Sequence, residues 1–186
     1  AALRRGAVAG FSGPLIRLYL VRHGEAEANR EMRYLGRRDD PLTGRGREQS
    51  IALASAFAVV PVGRVLTSPL ARCRDTASAI AAASGVAAEP DDRLLEMDFG
   101  DWEGRTRDDV RAAGPEVLAA WEADPEHVAP SGGEPLGEVR RRVLELVDGP
   151  ALDQWLSTDL GAPVEVRDRI ARQILAAVGH AHERAY

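Results

Sequence analysis

The tetrapeptide Arg-His-Gly-Glu at positions 22–25 places an imidazole where it can act as a nucleophile. It directly follows residues 15–21, a run of branched and aromatic residues that predicts a largely buried strand. In open α/β sheets, ligands bind beyond the carboxyl ends of the strands, so this position suits a reactive group. A neutral imidazole is a competent covalent catalyst. His23 is therefore our candidate nucleophile, with its tautomer set by Glu25 or by a backbone carbonyl.

Two arginines would flank His23 if the first two predicted strands are parallel. Arg22 precedes His23, and Arg72 follows a second predicted strand at 63–67. Parallel pairing brings both strand ends to the same edge of the sheet. Because guanidinium groups bind phosphate oxygens bidentately, this pattern indicates a phosphate pocket, to which Asn29 can donate a further hydrogen bond.

A short acidic segment supplies candidates for proton transfer. Phosphate-ester cleavage leaves an alkoxide that needs a proton, and a carboxyl group with a raised pKa can supply it. Gly100 and Gly104 predict a loop that bends closely around a site. Spacing alone does not choose among the four carboxylates of this loop, which are Glu96, Asp98, Asp101 and Glu103.

The elements that must position these groups alternate between strands and helices. This alternation predicts a three-layer α/β/α fold with a mostly parallel central sheet. The helix after the second strand would add backbone N–H donors to the phosphate pocket. The predicted elements are strands at 15–21, 63–67 and 86–89, and helices at 44–60, 69–84 (N-capped by Ser68 and closed by Gly85) and 134–148.

The 186 residues are predicted to form a flexible tail at 1–14 and one domain at 15–186. Residues from about 105 to 131 break the alternation with prolines and many charges, and we predict that they form a small lid. The arginine triplet at 140–142 is interpreted as a solvated face of the last predicted helix.

Composition excludes several classes of protein. The net charge of −5 argues against non-specific nucleic-acid binding, and no apolar run approaches the roughly 20 residues of a membrane helix. All 24 basic residues are arginine, which excludes chemistry that depends on lysine. The single Cys73 and four histidines fit neither a disulfide framework nor a zinc site, so we expect no metal. Because residues 1–14 are interpreted as a loose tail, with glycines that interrupt any apolar core of a signal peptide, we expect a cytoplasmic protein.

Five segments, in order between about residues 15 and 147, resemble the histidine phosphatase superfamily, which includes the cofactor-dependent phosphoglycerate mutases. The fourth segment is most similar to α-ribazole phosphatases and their relatives, and in the fifth Pro135 replaces the usual serine. The resemblance implies a phosphoglycerate mutase-like fold. The segments are 20–25 (LVRHGE), Asp40-Pro41-Leu42-Thr43 with Gly46 and Gln49, 67–73 (TSPLARC) with Thr76-Ala77, 95–103 (LEMDFGDWE), and 130–134 (PSGGE).

The same resemblance implies a role for each matching residue. His23 would accept the phosphoryl group, and Arg22 and Arg72 would clamp its oxygens. Asn29 would lie near the transferred group, and Glu96 would be the proton donor. The family uses no metal, and its catalysis rests on positioning and electrostatics, as phosphoryl transfer generally does.

The C-terminal segment, about 149–186, departs from the family pattern, which has a second catalytic histidine after a late strand. His180 stands in a Val-Gly-His-Ala-His context found in some relatives, but the residues before it have helical spacing. A candidate strand at 162–167 lies nearer the usual distance, yet Arg167 and Asp168 stand where the histidine belongs. We retain His180 as the candidate and leave the alternative open.

These observations lead to one leading hypothesis and two alternatives. The leading one is a metal-independent phosphomonoesterase that acts through a phosphohistidine on a small phosphorylated metabolite, without a cofactor. A mutase is the first alternative, although it would need a larger lid to exclude water. A phosphate-binding protein without turnover is the second. The protein is expected to be a monomer or a homodimer.

Overall fold

The computed structural model describes residues 18–148. Short helices and turns surround one strand–helix–strand unit. Pro61 follows the end of the second helix as predicted, and Gly85 closes the third in the left-handed conformation with φ of 70°. The elements are α1 (Glu27–Arg30), α2 (Gly44–Phe57), β1 (Val65–Thr67), α3 (Ala71–Ser84), β2 (Ala88–Pro90), 3₁₀ turns at Asp92–Leu94 and Gly100–Trp102, α4 (Arg107–Ala113), α5 (Pro115–Ala123) and α6 (Leu136–Asp148).

The strands β1 and β2 pair in parallel, with Val65 opposite Ala88 and Thr67 opposite Pro90. Helix α3 is the crossover between them and packs against both strands. This unit confirms the predicted parallel alternation, because parallel neighbours require such a crossover. It also places residues 68–72 directly after the carboxyl end of β1.

Two local predictions are wrong. The described part of the predicted first strand, residues 18–21, does not form a strand, and Leu18 and Leu20 are 44% and 43% exposed. Within residues 18–148 no strand pairs with this stretch, and a strand requires a hydrogen-bonded partner. The third helix begins at Ala71 rather than Pro69, with Leu70 as N-cap in an extended conformation.

The first turn of helix α2 lies against the segment that carries His23, because Gly46 is in close contact with Gly24. Thr43 caps it by accepting a hydrogen bond from the Gly46 N–H at 3.0 Å. Within α2, Phe57 is buried, whereas Ile51 is 63% exposed although apolar spacing predicts it on the same buried side. The buried side of α2 packs against α3, so both helices support the same edge of the molecule.

The predicted lid segment contains α4 and α5, and both contribute to the main core. Val110 and Leu118 are buried there with Tyr34, and Trp121 packs against the same cluster. Helix α6 contributes the buried Val139 and Val143 to this core, and Leu136 packs against it. None of the helices within residues 18–148 is both long and apolar enough to cross a membrane.

Candidate active site

His23 is partly buried and lies two residues after the region 18–21. Its Nδ1 atom is 2.6 Å from the Gly24 carbonyl oxygen. A carbonyl can only accept a hydrogen bond, so Nδ1 must carry the proton and Nε2 has the lone pair. A backbone carbonyl, rather than Glu25, therefore sets the tautomer in which Nε2 can attack an electrophile.

The surroundings of His23 keep its imidazole neutral. Burial, followed by the positive charges of Arg72 and Arg22, lowers its pKa from 6.5 to about 4. The Gly24 carbonyl and the Glu96 carboxylate act in the opposite direction. The structure thus brings both arginines and Glu96 close enough to His23 for their charges to affect its protonation.

The peptide after His23 is held by α3. The Gly24 N–H donates to the Thr76 hydroxyl at 3.1 Å, and that hydroxyl donates to the Arg72 carbonyl at 2.8 Å. Ser50 on α2 also donates to Thr76, at 3.2 Å. One buried threonine therefore joins the nucleophile's backbone to the helix turn that carries Arg72.

Glu25 is part of the scaffold. Its carboxylate accepts a hydrogen bond from the Thr43 hydroxyl at 2.9 Å, and its N–H donates to the Gln49 side chain at 2.8 Å. The backbones are also very close, since a Cβ added at Gly24 would lie 2.3 Å from the Gly46 carbonyl oxygen. Motif residues far apart in the chain therefore fix the turn around His23.

Arg72 is only 1% exposed, and its guanidinium is partly satisfied by protein. Its two terminal nitrogens donate to the Arg38 carbonyl at 2.7 Å and the Gly36 carbonyl at 2.8 Å. Its buried Nε–H has no hydrogen-bond partner within the described part of the chain. A buried charged donor without an acceptor is costly, so this N–H is the part of the Arg72 guanidinium that is available to an oxygen ligand.

The N-terminus of α3 differs from the prediction. Its first amide, the Ala71 N–H, donates to the Asp39 carboxylate at 2.5 Å, so a side chain already caps that donor. The sequence predicts that the backbone N–H groups at this helix start are available to phosphate, and it gives no sign that Asp39 lies there. The phosphate-binding potential of this edge therefore rests mainly on the arginine side chains.

Arg22 and Asn29 complete the predicted phosphate ligands. Arg22 is exposed, and its charge reaches His23. The Asn29 side-chain oxygen accepts the Ala26 N–H at 3.1 Å, which caps α1. The Asn29 amide nitrogen is therefore the end of that side chain suited to donate to a ligand oxygen.

Three of the four candidate carboxylates hold the loop together. Asp98 accepts from the Gly100 N–H at 2.9 Å, Asp101 from the Ser131 hydroxyl at 2.7 Å, and Glu103 from the Arg37 N–H at 2.6 Å. Glu96 accepts from the neighbouring Met97 N–H at 2.9 Å, and its charge raises the pKa of His23. Of these four carboxylates, Glu96 is the one whose charge acts on His23.

The sequence did not predict that Arg142 contacts the segment that carries Glu96. Arg142 was grouped with a solvated face, but its side chain is only 11% exposed and donates to the Leu95 and Glu96 carbonyls and to the Glu134 carboxylate. Arg140 and Arg141 do pair with carboxylates on the surface. A signal was present, because position 142 adjoins the buried Val143 and follows the buried Val139 by one helical turn.

Other predicted features lie elsewhere. His180, the tail at 1–14 and the segment at 149–186 are outside the described residues. His127 is exposed, lies in the turn that follows α5, and is 3.0 Å from the Asp124 carboxylate. Among residues 18–148, no group of three or more histidine, cysteine or acidic side chains is arranged to hold a metal ion.

Comparison with known proteins defines the class. The family model described as histidine phosphatase superfamily (branch 1) matches residues 18–158. Glucosyl-3-phosphoglycerate phosphatase of Mycolicibacterium vanbaalenii is 40% identical over 146 residues, covering 78% of this chain and 63% of that protein. Adenosylcobalamin/alpha-ribazole phosphatase of Salmonella typhimurium is 40% identical over 132 residues, covering 71% and 65%. This chain belongs to the histidine phosphatase superfamily.

A solved structure supports the same assignment. The alpha-ribazole phosphatase from Shigella flexneri superposes with a TM-score of 0.67 at 34% identity, covering 72% of this chain and 66% of that one. The predicted α/β, phosphoglycerate mutase-like fold is thereby confirmed. The chain spans less than two thirds of the length of the two curated relatives named above.

Proposed function

We propose that this chain is a metal-independent phosphomonoesterase that acts through a phosphohistidine at His23. The observation that carries this proposal is a neutral His23 imidazole within electrostatic reach of Arg72, whose buried Nε–H has no hydrogen-bond partner among residues 18–148. The lone pair on the His23 Nε2 atom is free to attack, and the nearby cations can hold a phosphate in line with it.

The first half-reaction breaks the ester bond. The His23 Nε2 atom forms a bond to phosphorus while the bond from phosphorus to the alcohol oxygen breaks. Arg22, Arg72 and the Asn29 amide stabilise the charge on the three phosphoryl oxygens. Glu96, in its protonated form, transfers a proton to the departing alkoxide and becomes a carboxylate.

The second half-reaction restores the enzyme. A water molecule attacks phosphorus, the bond from phosphorus to Nε2 breaks, and inorganic phosphate leaves. The Glu96 carboxylate takes a proton from the water, which regenerates the acid for the next cycle. His180 is proposed as a further pocket residue, and replacing it with alanine should lower kcat/KM far more than replacing His182.

The two curated relatives support hydrolysis of a small phosphorylated metabolite. Both are named as phosphatases, one of glucosyl-3-phosphoglycerate and one of alpha-ribazole. Their substrates differ, so the names support the reaction class more strongly than any one substrate. A cytoplasmic location and a monomeric or homodimeric state are further predictions.

The proposal is tested by turnover of p-nitrophenyl phosphate at about pH 6 with EDTA present, where the neutral imidazole dominates. His23→Ala should abolish activity. His127→Ala should leave activity unchanged, because the His127 side chain is exposed and its ion pair is with Asp124, outside the proposed site. A folded, phosphate-stabilised protein without turnover would favour the phosphate-binding alternative. Activity retained by His23→Ala would contradict the mechanism.

A further inference from the structure

We propose that Glu134 and Arg142 position the proton donor Glu96, an inference that rests on the proposed function. We call these two residues the Glu134–Arg142 pair. Neither was assigned a role by the sequence, and neither touches the reacting atoms in our proposal. They act on the reaction by fixing the backbone from which the Glu96 side chain extends.

Arg142 holds the segment before and at the proton donor. Its NH1 nitrogen donates to the carbonyls of Arg93 and Leu95, and its NH2 nitrogen donates to the Glu96 carbonyl at 3.2 Å. Three carbonyls within four residues are thus bound by one planar guanidinium. Such a fork fixes the direction of the chain in a way that a single hydrogen bond cannot.

Glu134 holds the segment on the other side of Glu96. One of its carboxylate oxygens accepts from the Arg142 NH2 nitrogen at 2.7 Å, from the Asp98 N–H at 3.0 Å and from Arg37 at 3.1 Å. The Glu134 N–H also donates to the Asp98 carbonyl at 2.9 Å. Glu96 therefore lies between two anchor points that meet in one ion pair.

The pair works in a shielded setting. The side chains of Arg142 and Glu134 are only 11% and 16% exposed, so removal of either charge leaves its partner poorly solvated. The backbones are also tightly apposed, because a Cβ added at Gly133 would lie 2.4 Å from the Asp98 carbonyl oxygen. The turn at 130–134 therefore packs directly against the loop at 96–103, and the Glu134–Arg142 pair orients the two segments relative to each other.

The consequence is specific to proton transfer. A general acid must reach the leaving oxygen at hydrogen-bond distance, and small displacements of its backbone disturb that geometry. The attack by His23 does not need this proton when the leaving group is already a stable anion. Weakening the pair should therefore harm poor leaving groups much more than good ones.

The experiment compares kcat/KM for phenyl phosphate and for 2,4-dinitrophenyl phosphate, because kcat/KM reports the half-reaction in which the leaving group departs. Glu134→Gln keeps an acceptor but removes the charge, and Arg142→Lys keeps the charge but removes the fork. We expect each to lower the phenyl phosphate value by about tenfold or more and the dinitrophenyl value by less than about threefold. Arg141→Lys, on the exposed side of α6, is the matched control and should change neither.

A leaving-group preference equal to that of the unmodified chain, with or without an overall loss, would overturn the inference. Loss of cooperative thermal unfolding in both variants would also overturn it, because the pair would then maintain the whole fold. Either result leaves the proposed function intact as long as the unmodified chain shows turnover that depends on His23. An inactive unmodified chain would instead contradict the proposed function itself.

Discussion

The Gly24 N–H donates to the Thr76 hydroxyl at 3.1 Å, which joins the peptide beside His23 to the helix that carries Arg72. The nucleophile and the arginine come from elements far apart in the chain. Their alignment depends on this contact, because His23 is the residue before Gly24 and Arg72 lies one helical turn before Thr76.

Replacing Thr76 by valine keeps the shape of the side chain but removes the only atom that accepts from Gly24 within the described structure. We expect Thr76→Val to destabilise the fold by about 1–3 kcal/mol, the cost of a buried unpaired N–H. It should also lower kcat/KM. Thr76→Ser, which retains the hydroxyl, should lose much less of both. Denaturant unfolding and steady-state assays check this, and equal effects of the two variants would refute it.

The low pKa of His23 makes stability depend on pH. The pKa of His23 is about 4 in the folded protein, whereas the ordinary value for histidine is 6.5, so the unfolded chain binds the proton more readily between these values. The stabilising contribution is present above the unfolded pKa and is lost as the pH falls towards the folded one. His23→Asn should reduce the loss of unfolding free energy between about pH 7 and pH 4 by roughly 3 kcal/mol.

Denaturant titrations of both proteins across this range provide the measurement. The sign is the useful part of the test, since a histidine stabilised by a carboxylate would give the opposite trend. An unchanged pH dependence in His23→Asn would show that other groups dominate the acid sensitivity and that His23 is not held neutral.

Two glycines in the first turns of α2 offer a matched pair. A Cβ at Gly46 would lie 2.1 Å from the Glu25 carbonyl oxygen, whereas a Cβ at Gly44 would meet nothing within 4 Å. Gly46→Ala should therefore destabilise the fold by about 1–3 kcal/mol and disturb the turn at His23. Gly44→Ala should be neutral or stabilising by up to about 1 kcal/mol, because helical glycine is entropically costly. Equal melting temperatures for the two variants would contradict the close approach.

Arg72 and Arg74 form a second matched pair on α3. Arg72 is buried and bonded to two carbonyls, whereas Arg74 is exposed. Arg72→Lys should lower kcat/KM by about 100-fold or more, because lysine cannot reproduce the fork or the inward Nε–H. Arg74→Lys should have little effect. Protection of the fold by inorganic phosphate should weaken in the first variant only, and retained protection would argue against Arg72 as a phosphate ligand.

Short local patterns predicted which residues could lie together better than they predicted the contacts that support them. His23 and Arg72 follow from such patterns, whereas only the family resemblance distinguishes Glu96 from three other carboxylates, and the structure brings the charges of Arg72 and Glu96 within electrostatic reach of His23. The strand–helix–strand unit followed equally well from local signals such as Gly85 at the end of α3. Local spacing suffices where one segment supplies both the residue and its surroundings.

Hydrogen bonds between residues far apart in the sequence could not be predicted from local patterns. Arg142 resembled its exposed neighbours because nothing in its own segment shows that the carbonyls of residues 93–96 lie beside it. The capping of Ala71 by Asp39 likewise joins residues that share no pattern. Such contacts depend on how the loops are brought together in the fold. An arginine side chain can donate to a buried carbonyl as readily as it donates to water, so its charge alone does not predict exposure.

The central claim is that His23 carries the phosphoryl group during turnover. Rapid alkaline quenching of the chain during turnover of p-nitrophenyl phosphate, followed by mass spectrometry of its peptides, tests it most directly. We predict a phosphoryl group on His23 that survives alkali and is lost in acid, with none in His23→Ala. Turnover without any covalent phosphate on His23, or with the phosphoryl group on another residue, would contradict it.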